Sequence, residues 1–314
     1  MGILEQVQVG AQDWPLHSEK KCVTGQFYNS FGRLPLTSDS DCKTACDVLQ
    51  ACCDETTTLV TGGPLHNLGA AILASGGGSD AVLEGGAGGT KKRTGTSTST
   101  AGINSSTLMI GRWVAQGGFA GEGVVPEHLQ MKKFKGKTRC DTWNFNGSIP
   151  AAQAALSSCF IASRVLVSKN VCHRVMYDQA LHEAIRTACA AATALAGDNA
   201  VKGGEKLAAR GRARSLGLLW TSMDSYLVRH PSGKKLHDPL ALVAAINEAV
   251  CTFAEVEVTH HSSSSSNSTH TSHHSSSGKK RETGWGSSLC PGSKTKISVD
   301  YNHELFVKTL LDLD

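Results

Sequence analysis

An α/β fold, built on a mostly parallel open sheet with helices on both faces, is what this sequence predicts. Three observations carry that expectation. Runs rich in β-branched residues alternate with amphipathic runs along nearly the whole chain. Strand-like runs end in glycines, as in "TTTLVTGGP" (56–64) and "TLMIGRWVAQGG" (107–118), a composition that turns a strand into the next element. The chain has 314 residues, 40% of them hydrophobic, enough for one large core. A single domain over residues 1–314 is therefore expected.

The elements follow in order. "SDCKTACDVLQACCDE" (40–55) reads as an amphipathic helix, with Cys42, Ala45, Cys46, Leu49, Cys52 and Cys53 on one broad face. Free cysteine serves as a small buried hydrophobe, and this run lacks the paired loop spacing of a zinc site. Residues 56–64 form a strand, and "PLHNLGAAILA" a helix opened by Pro64. Residues 107–118 are a strand, "PAAQAALSS" a helix and "SRVLVSKN" a strand. Helices are expected near 178–196 and 204–228.

In "GKKLHDPLALVAAI" (233–246), Asp238 is a candidate N-cap with proline following it, and Leu240, Leu242, Val243 and Ile246 supply an apolar stripe. "CTFAEVEV" (251–258) and "KTKISVDY" (294–301) are strands, and a helix closes the chain to Leu313. In such a fold ligands bind outside the carboxyl ends of the strands, which marks Thr61, the Gly117-Gly118 turn and Asn170.

Several function classes are excluded as expectations. Net charge is +4 with scattered basic residues. The clusters Lys91-Lys92-Arg93 and Lys279-Lys280-Arg281 lie in low-complexity sequence, and aromatics are only 5%, so no nucleic-acid partner is expected. No apolar window is long enough to span a bilayer, and the N-terminus has neither a signal peptide's layout nor, with Gln6, a myristoylation motif. Eleven cysteines in irregular spacing suit a reducing compartment, and a cytoplasmic location is expected. Two Gly/Ser/Thr-rich stretches, 75–106 and 259–278, read as irregular surface insertions. The second holds His260, His261, His270, His273 and His274, weak metal candidates.

Five segments then combine: "TLVTGGPLHNLGAAI" (58–72), "WVAQGGFAGEGVVPEH" (113–128), "DTWNFNGSIPAA" (141–152), "SKNVCHRVMYD" (168–178) and "KKLHDPLALV" (234–243). In this order, and with the tail "TGWGSSLCPGSKTKISVDYNHELFVKTLL" (283–311), they resemble the inosine-uridine preferring nucleoside hydrolases. The resemblance spans about residues 10 to 311, without the two insertions.

It implies a Rossmann-like α/β fold and hydrolysis of the N-glycosidic bond of purine or pyrimidine ribonucleosides, giving free base and ribose. It implies a calcium ion that holds the ribose hydroxyls and the attacking water. By the same resemblance Asp238 is a metal ligand and Thr61 a ligand through its main-chain carbonyl. His237 acts on the leaving base, Asn144 holds the ribose, and Gln116 lies near the ribose 5′-hydroxyl. His173 ends a family strand motif, and Thr142 stands where many members carry a ribose-binding glutamate. The implied partner is the ribonucleoside itself, and a homo-oligomer is compatible.

One family feature is missing from the sequence. No D-x-D-x-x-x-D-D segment occurs, so the N-terminal strand-helix units that carry it are expected to be missing. Asp238 and one carbonyl supply only about two or three of the six to eight oxygens calcium takes. Two readings stay open: a nucleoside hydrolase, or a non-catalytic relative that binds nucleoside or ribose or serves in an assembly.

Overall fold

The computed structural model describes residues 44–76, 108–198, 200–262 and 283–312. The N-terminal region and nearly all of both expected insertions lie outside the described residues, as do the Lys91 and Lys279 clusters.

In chain order the first elements are α1 (Ala45–Cys52), β1 (Thr58–Thr61), α2 (His66–Ala74), β2 (Ile110–Gln116), β3 (Arg139–Cys140), α3 (Trp143–Gly147), α4 (Ile149–Ser157) and β4 (Ile161–Val167). There follow α5 (Lys169–Cys172), β5 (Met176–Tyr177), α6 (Gln179–Gly197), α7 (Gly203–Arg229), β6 (Lys234–Lys235), α8 (His237–Ile246), β7 (Cys251–His261), β8 (Gly284–Leu289), β9 (Thr295–Tyr301) and α9 (His303–Leu311). No helix among the described residues is long and apolar enough to cross a membrane.

Contacts divide the chain into two compact units. Among the described residues the first draws on 44–59, 64–76, 108–112 and Phe145–Ala162. Its helix α1 opens with a capping box, in which the Thr44 hydroxyl accepts from the Asp47 N–H and the Asp47 carboxylate accepts from the Thr44 N–H. The expected cysteine face is not a buried one. Ala45 is the buried residue of α1, while Cys52 is exposed and Cys46 and Cys53 are half-buried. Helices α2 and α4 meet where Gly69 has no side chain: a Cβ there would fall 2.5 Å from the Ala151 Cβ.

The second unit comprises Val60–Gly63, Trp113–Asn144 and Ser163–Asp314. It holds the carboxyl ends of β1, β2 and β4 in a seven-stranded sheet of order β1-β2-β4-β9-β7-β8-β3. The Ile110 N–H donates to the Phe160 carbonyl and the Gly117 N–H to the Val167 carbonyl, so β2 and β4 run parallel. Strands β4 and β9 are parallel too. Beyond β9 the sheet turns antiparallel through β7, β8 and β3.

That ribbon corrects one expectation. Thr259, His260 and His261 are not part of an irregular insertion; they extend β7 and pair with Gly286, Trp285 and Gly284. The partner strand β8, "GWGSSL", was not anticipated, because its glycines and serines carry no alternating pattern and its pairing on two sides creates it.

The core of this unit packs Val167, Val171, Tyr177, Leu181, Ile185, Leu240, Val243 and Phe306 together. The α6–α7 hairpin closes over it through His182, stacked on Trp220 with ring centroids 5.3 Å apart and 3.0 Å from the Tyr177 hydroxyl. Helix α8 differs from its expected form at both face and start. Leu240, Ala241, Val243 and Ala244 are the buried residues, whereas Leu242 and Ile246 are 43% and 58% exposed. The N-cap is Leu236, not Asp238, and no side chain bonds to the cap. The Leu236 N–H donates to the Val175 carbonyl, so the β5–β6 pairing leads directly into the helix. Pro239 is then the third helical residue, where the missing N–H has no intrahelical partner to lose.

Candidate functional site

The site is built from segments of the second unit alone. Strand β1 ends at Thr61, whose hydroxyl accepts from the indole N–H of the fully buried Trp113 at 2.9 Å. Gly62 follows, and a Cβ on it would lie 3.0 Å from Asp238 Cγ. The glycine lets the Asp238 carboxylate sit against the end of β1, so Thr61 and Asp238 are neighbours in space although far apart in sequence.

Strand β2 ends at Gln116. The buried Asn144 amide donates to the Gln116 main-chain carbonyl at 2.8 Å and to its side-chain oxygen at 2.7 Å. Gln116 Nε2 in turn donates to Cys172 Sγ at 3.3 Å. Cys172 closes the short helix α5, which Ser168 caps by accepting from the Asn170 N–H. Asn170, marked by its place after β4, is a tether: it is buried, donates to the Ala120 carbonyl and accepts from the Met131 N–H. That bond fixes the loop bearing Lys133.

His173 and His237 stack with ring centroids 4.5 Å apart. Lys133 Nζ donates to His173 Nδ1 at 2.6 Å. Thus Asn144, Gln116, Cys172, His173, His237, Asp238 and the Thr61-Gly62 corner form one chain of contacts. One polar atom within it, His237 Nε2, is buried without a hydrogen-bond partner, as is Thr142 Oγ1, two residues before Asn144. Such an orphan costs about 1–3 kcal/mol, so a ligand bonding to it recovers that energy.

Charge is the part of the site that sequence reading missed. Lys133, Lys169, Lys234 and Lys235 all act electrostatically on His237. Burial first, and then these ammonium groups, lower the His237 pKa. Burial, Lys133, His237, Lys235 and Lys169 push His173 down to about 3. Both imidazoles are therefore neutral at pH 7. Burial raises the Asp238 pKa, with Lys234 opposing. Burial also pushes the Cys172 thiol up to about 12, against the Gln116 hydrogen bond, so it is a protonated thiol rather than a nucleophile. The lysines come from three separate segments, the turn at Lys133, the start of α5 and strand β6, and only the Lys234-Lys235 doublet hinted at them.

Metal-holding capacity follows from the donors. Among the described residues one group has metal-like spacing: Cys172, His173 and His237, with ligand atoms within 4.8 Å of one another. That nitrogen and sulfur set is wrong for calcium. It also faces four ammonium groups, and Lys133 already occupies His173 Nδ1. Of the oxygen donors that the resemblance assigned, Asp238 lies against Gly62, next to Thr61, and it belongs to no group of three or more metal-binding side chains among the described residues. These donors do not by themselves fit a resident calcium ion.

No protein-family model matches the chain, and no curated protein matches it. Among solved structures it is similar to a purine-preferring ribonucleoside hydrolase from Gardnerella vaginalis, at 14% identity over 88% of this chain and 66% of that one, with a TM-score of 0.46. A plant nucleoside hydrolase is 18% identical over 90% of this chain and 70% of that one, with a TM-score of 0.46. An inosine-uridine preferring nucleoside hydrolase from Bacillus anthracis is 14% identical over 90% and 68%, with a TM-score of 0.45. The chain spans about two thirds of the length of these structures.

Proposed function

We propose that this site binds a ribonucleoside and hydrolyses its N-glycosidic bond, releasing base and ribose. The observation that supports this most is the set of converging groups: the Thr61-Gly62 corner, the Asn144–Gln116 pair and His237-Asp238, with the buried orphan atom His237 Nε2 among them. Their chemistry divides naturally. Asn144 commits its N–H groups to Gln116, which leaves its carbonyl oxygen to accept from a sugar hydroxyl, while the Thr142 hydroxyl supplies a further polar contact.

Neutral His237 offers Nε2 to a ring nitrogen of the base. It orients the leaving group and holds a proton there, but a lowered pKa makes it a weak proton source at rest. The Asp238 carboxylate is the one negative group of the cluster. It accepts a proton from water as the water oxygen bonds to the anomeric carbon and the carbon–nitrogen bond breaks. It also offsets the positive charge that develops on the sugar. The crowded lysines oppose that charge, and this favours a second reading: a nucleoside- or ribose-binding chain without turnover.

One experiment separates them. The full chain is incubated with inosine and with uridine, with calcium or with chelator, and released ribose and base are measured beside calorimetric binding. Release that Asp238→Ala lowers at least about a hundredfold, the scale of a lost general base, supports hydrolysis. Binding without release supports the second reading, and neither binding nor release overturns both.

A further inference from the structure

Four lysines converge on the imidazole pair, and none of them forms an ion pair with a carboxylate among the described residues. Lys133 Nζ touches His173 Nδ1 at 2.6 Å, and the Lys235 ammonium acts on Lys133 as a like charge. Lys169 Nζ is fixed on the Asp141 carbonyl at 2.7 Å, and Lys234 Nζ lies over the Tyr226 ring, 4.9 Å from its centroid. Strand β6 supplies two of the four and runs straight into His237. Like charges held this close repel unless an anion lies among them. The start of α8, ten residues long and without a side-chain cap, adds the positive end of a helix dipole at the same place.

We propose that this cluster holds a phosphate group, so that the ligand of the site is a ribonucleoside monophosphate rather than an uncharged nucleoside. The inference rests on the reading of the site as a ribonucleoside pocket. Lys133 and Lys235 grip the phosphate as point charges, with Lys169 and Lys234 supplying longer-range attraction. His237 Nε2 and the Asn144–Gln116 pair remain for base and sugar. A dianionic group also cuts the local excess of four ammonium groups over the one Asp238 carboxylate from three charges to one. That excess is what opposes positive charge developing on the sugar. The convergence on one half-buried histidine pair favours a small anion over an extended polyanion.

The test is calorimetric titration of the full chain with adenosine and uridine monophosphates, adenosine, uridine and inorganic phosphate at matched ionic strength. Monophosphates are expected to bind at least about tenfold tighter than their nucleosides. Inorganic phosphate, unlike chloride, is expected to raise the melting temperature. Lys133→Gln and Lys235→Gln should remove that preference while keeping or raising the melting temperature of the free protein, because each relieves repulsion. Lys294→Gln, remote from the cluster, should change nothing.

Nucleosides that bind as tightly as their monophosphates overturn the proposal, as does a phosphate preference that survives both substitutions. So does a short single-stranded RNA that binds far tighter than any monomer. Phosphate binding that the two variants abolish, without any affinity for base or sugar, keeps the phosphate site and overturns the nucleoside reading instead.

Discussion

At the residue scale the site is governed by desolvation in a positive field. His173 shows this best. Its pKa is held at about 3 by burial and by Lys133, against an ordinary 6.5. The unfolded chain takes up a proton on this residue below about pH 6.5, and the folded chain does not until about pH 3. The stability contributed by neutral His173 is thus complete above pH 6.5 and is lost progressively as pH falls from 6.5 toward 3. His237 is shifted in the same direction and acts in the same sense. Nuclear magnetic resonance should find the His173 ring neutral at pH 5. Denaturant midpoints should fall less steeply between pH 7 and pH 4.5 in His173→Gln than in the parent. A His173 that titrates near 6.5 would remove both the field and its cause.

At the element scale the informative contacts are those where backbone comes close to backbone. Gly69 of α2 faces Ala151 of α4, and a Cβ at Gly69 would lie 2.5 Å from the Ala151 Cβ and 2.9 Å from its Cα. Gly69→Ala should therefore destabilise the first unit. Forcing two packed helices apart costs about 1–3 kcal/mol, and the helix propensity of alanine returns about 1 kcal/mol. Ala151→Gly in the same chain should recover only part of the loss, because the contact with the residue-151 Cα at 2.9 Å remains. A Gly69→Ala protein with a higher denaturant midpoint would show that α2 and α4 have slack. Gly62 plays a related part, because the space it leaves is where the Asp238 carboxylate rests.

At the scale of the whole molecule, a net charge of only +4 conceals a site where four ammonium groups meet a single carboxylate. Such a field repels a divalent cation. Calcium should therefore leave the melting temperature of the full chain unchanged relative to chelator. Binding at about 100 times Kd would stabilise the fold by about 2.7 kcal/mol, a rise of several degrees. A rise of that size would mean that the oxygen shell around Asp238 is completed by other parts of the chain.

What the sequence alone determined is what depends on local pattern. The order of strands and helices, the long α6 and α7, and the glycine-marked strand ends at Thr61 and Gln116 are legible because periodicity and turn chemistry act over a few residues. The five named site residues came from a resemblance rather than from physics. What the tertiary structure decided is everything that needs two distant segments at once. It made a strand of the glycine- and serine-rich β8 by pairing it on both sides. It moved the start of α8 ahead of Asp238, because the Leu236 N–H found Val175. It gathered Lys133, Lys169, Lys234 and Lys235 around His237. A sequence states how many charges a chain carries, but their energy depends on distance and on burial, and only the fold sets those.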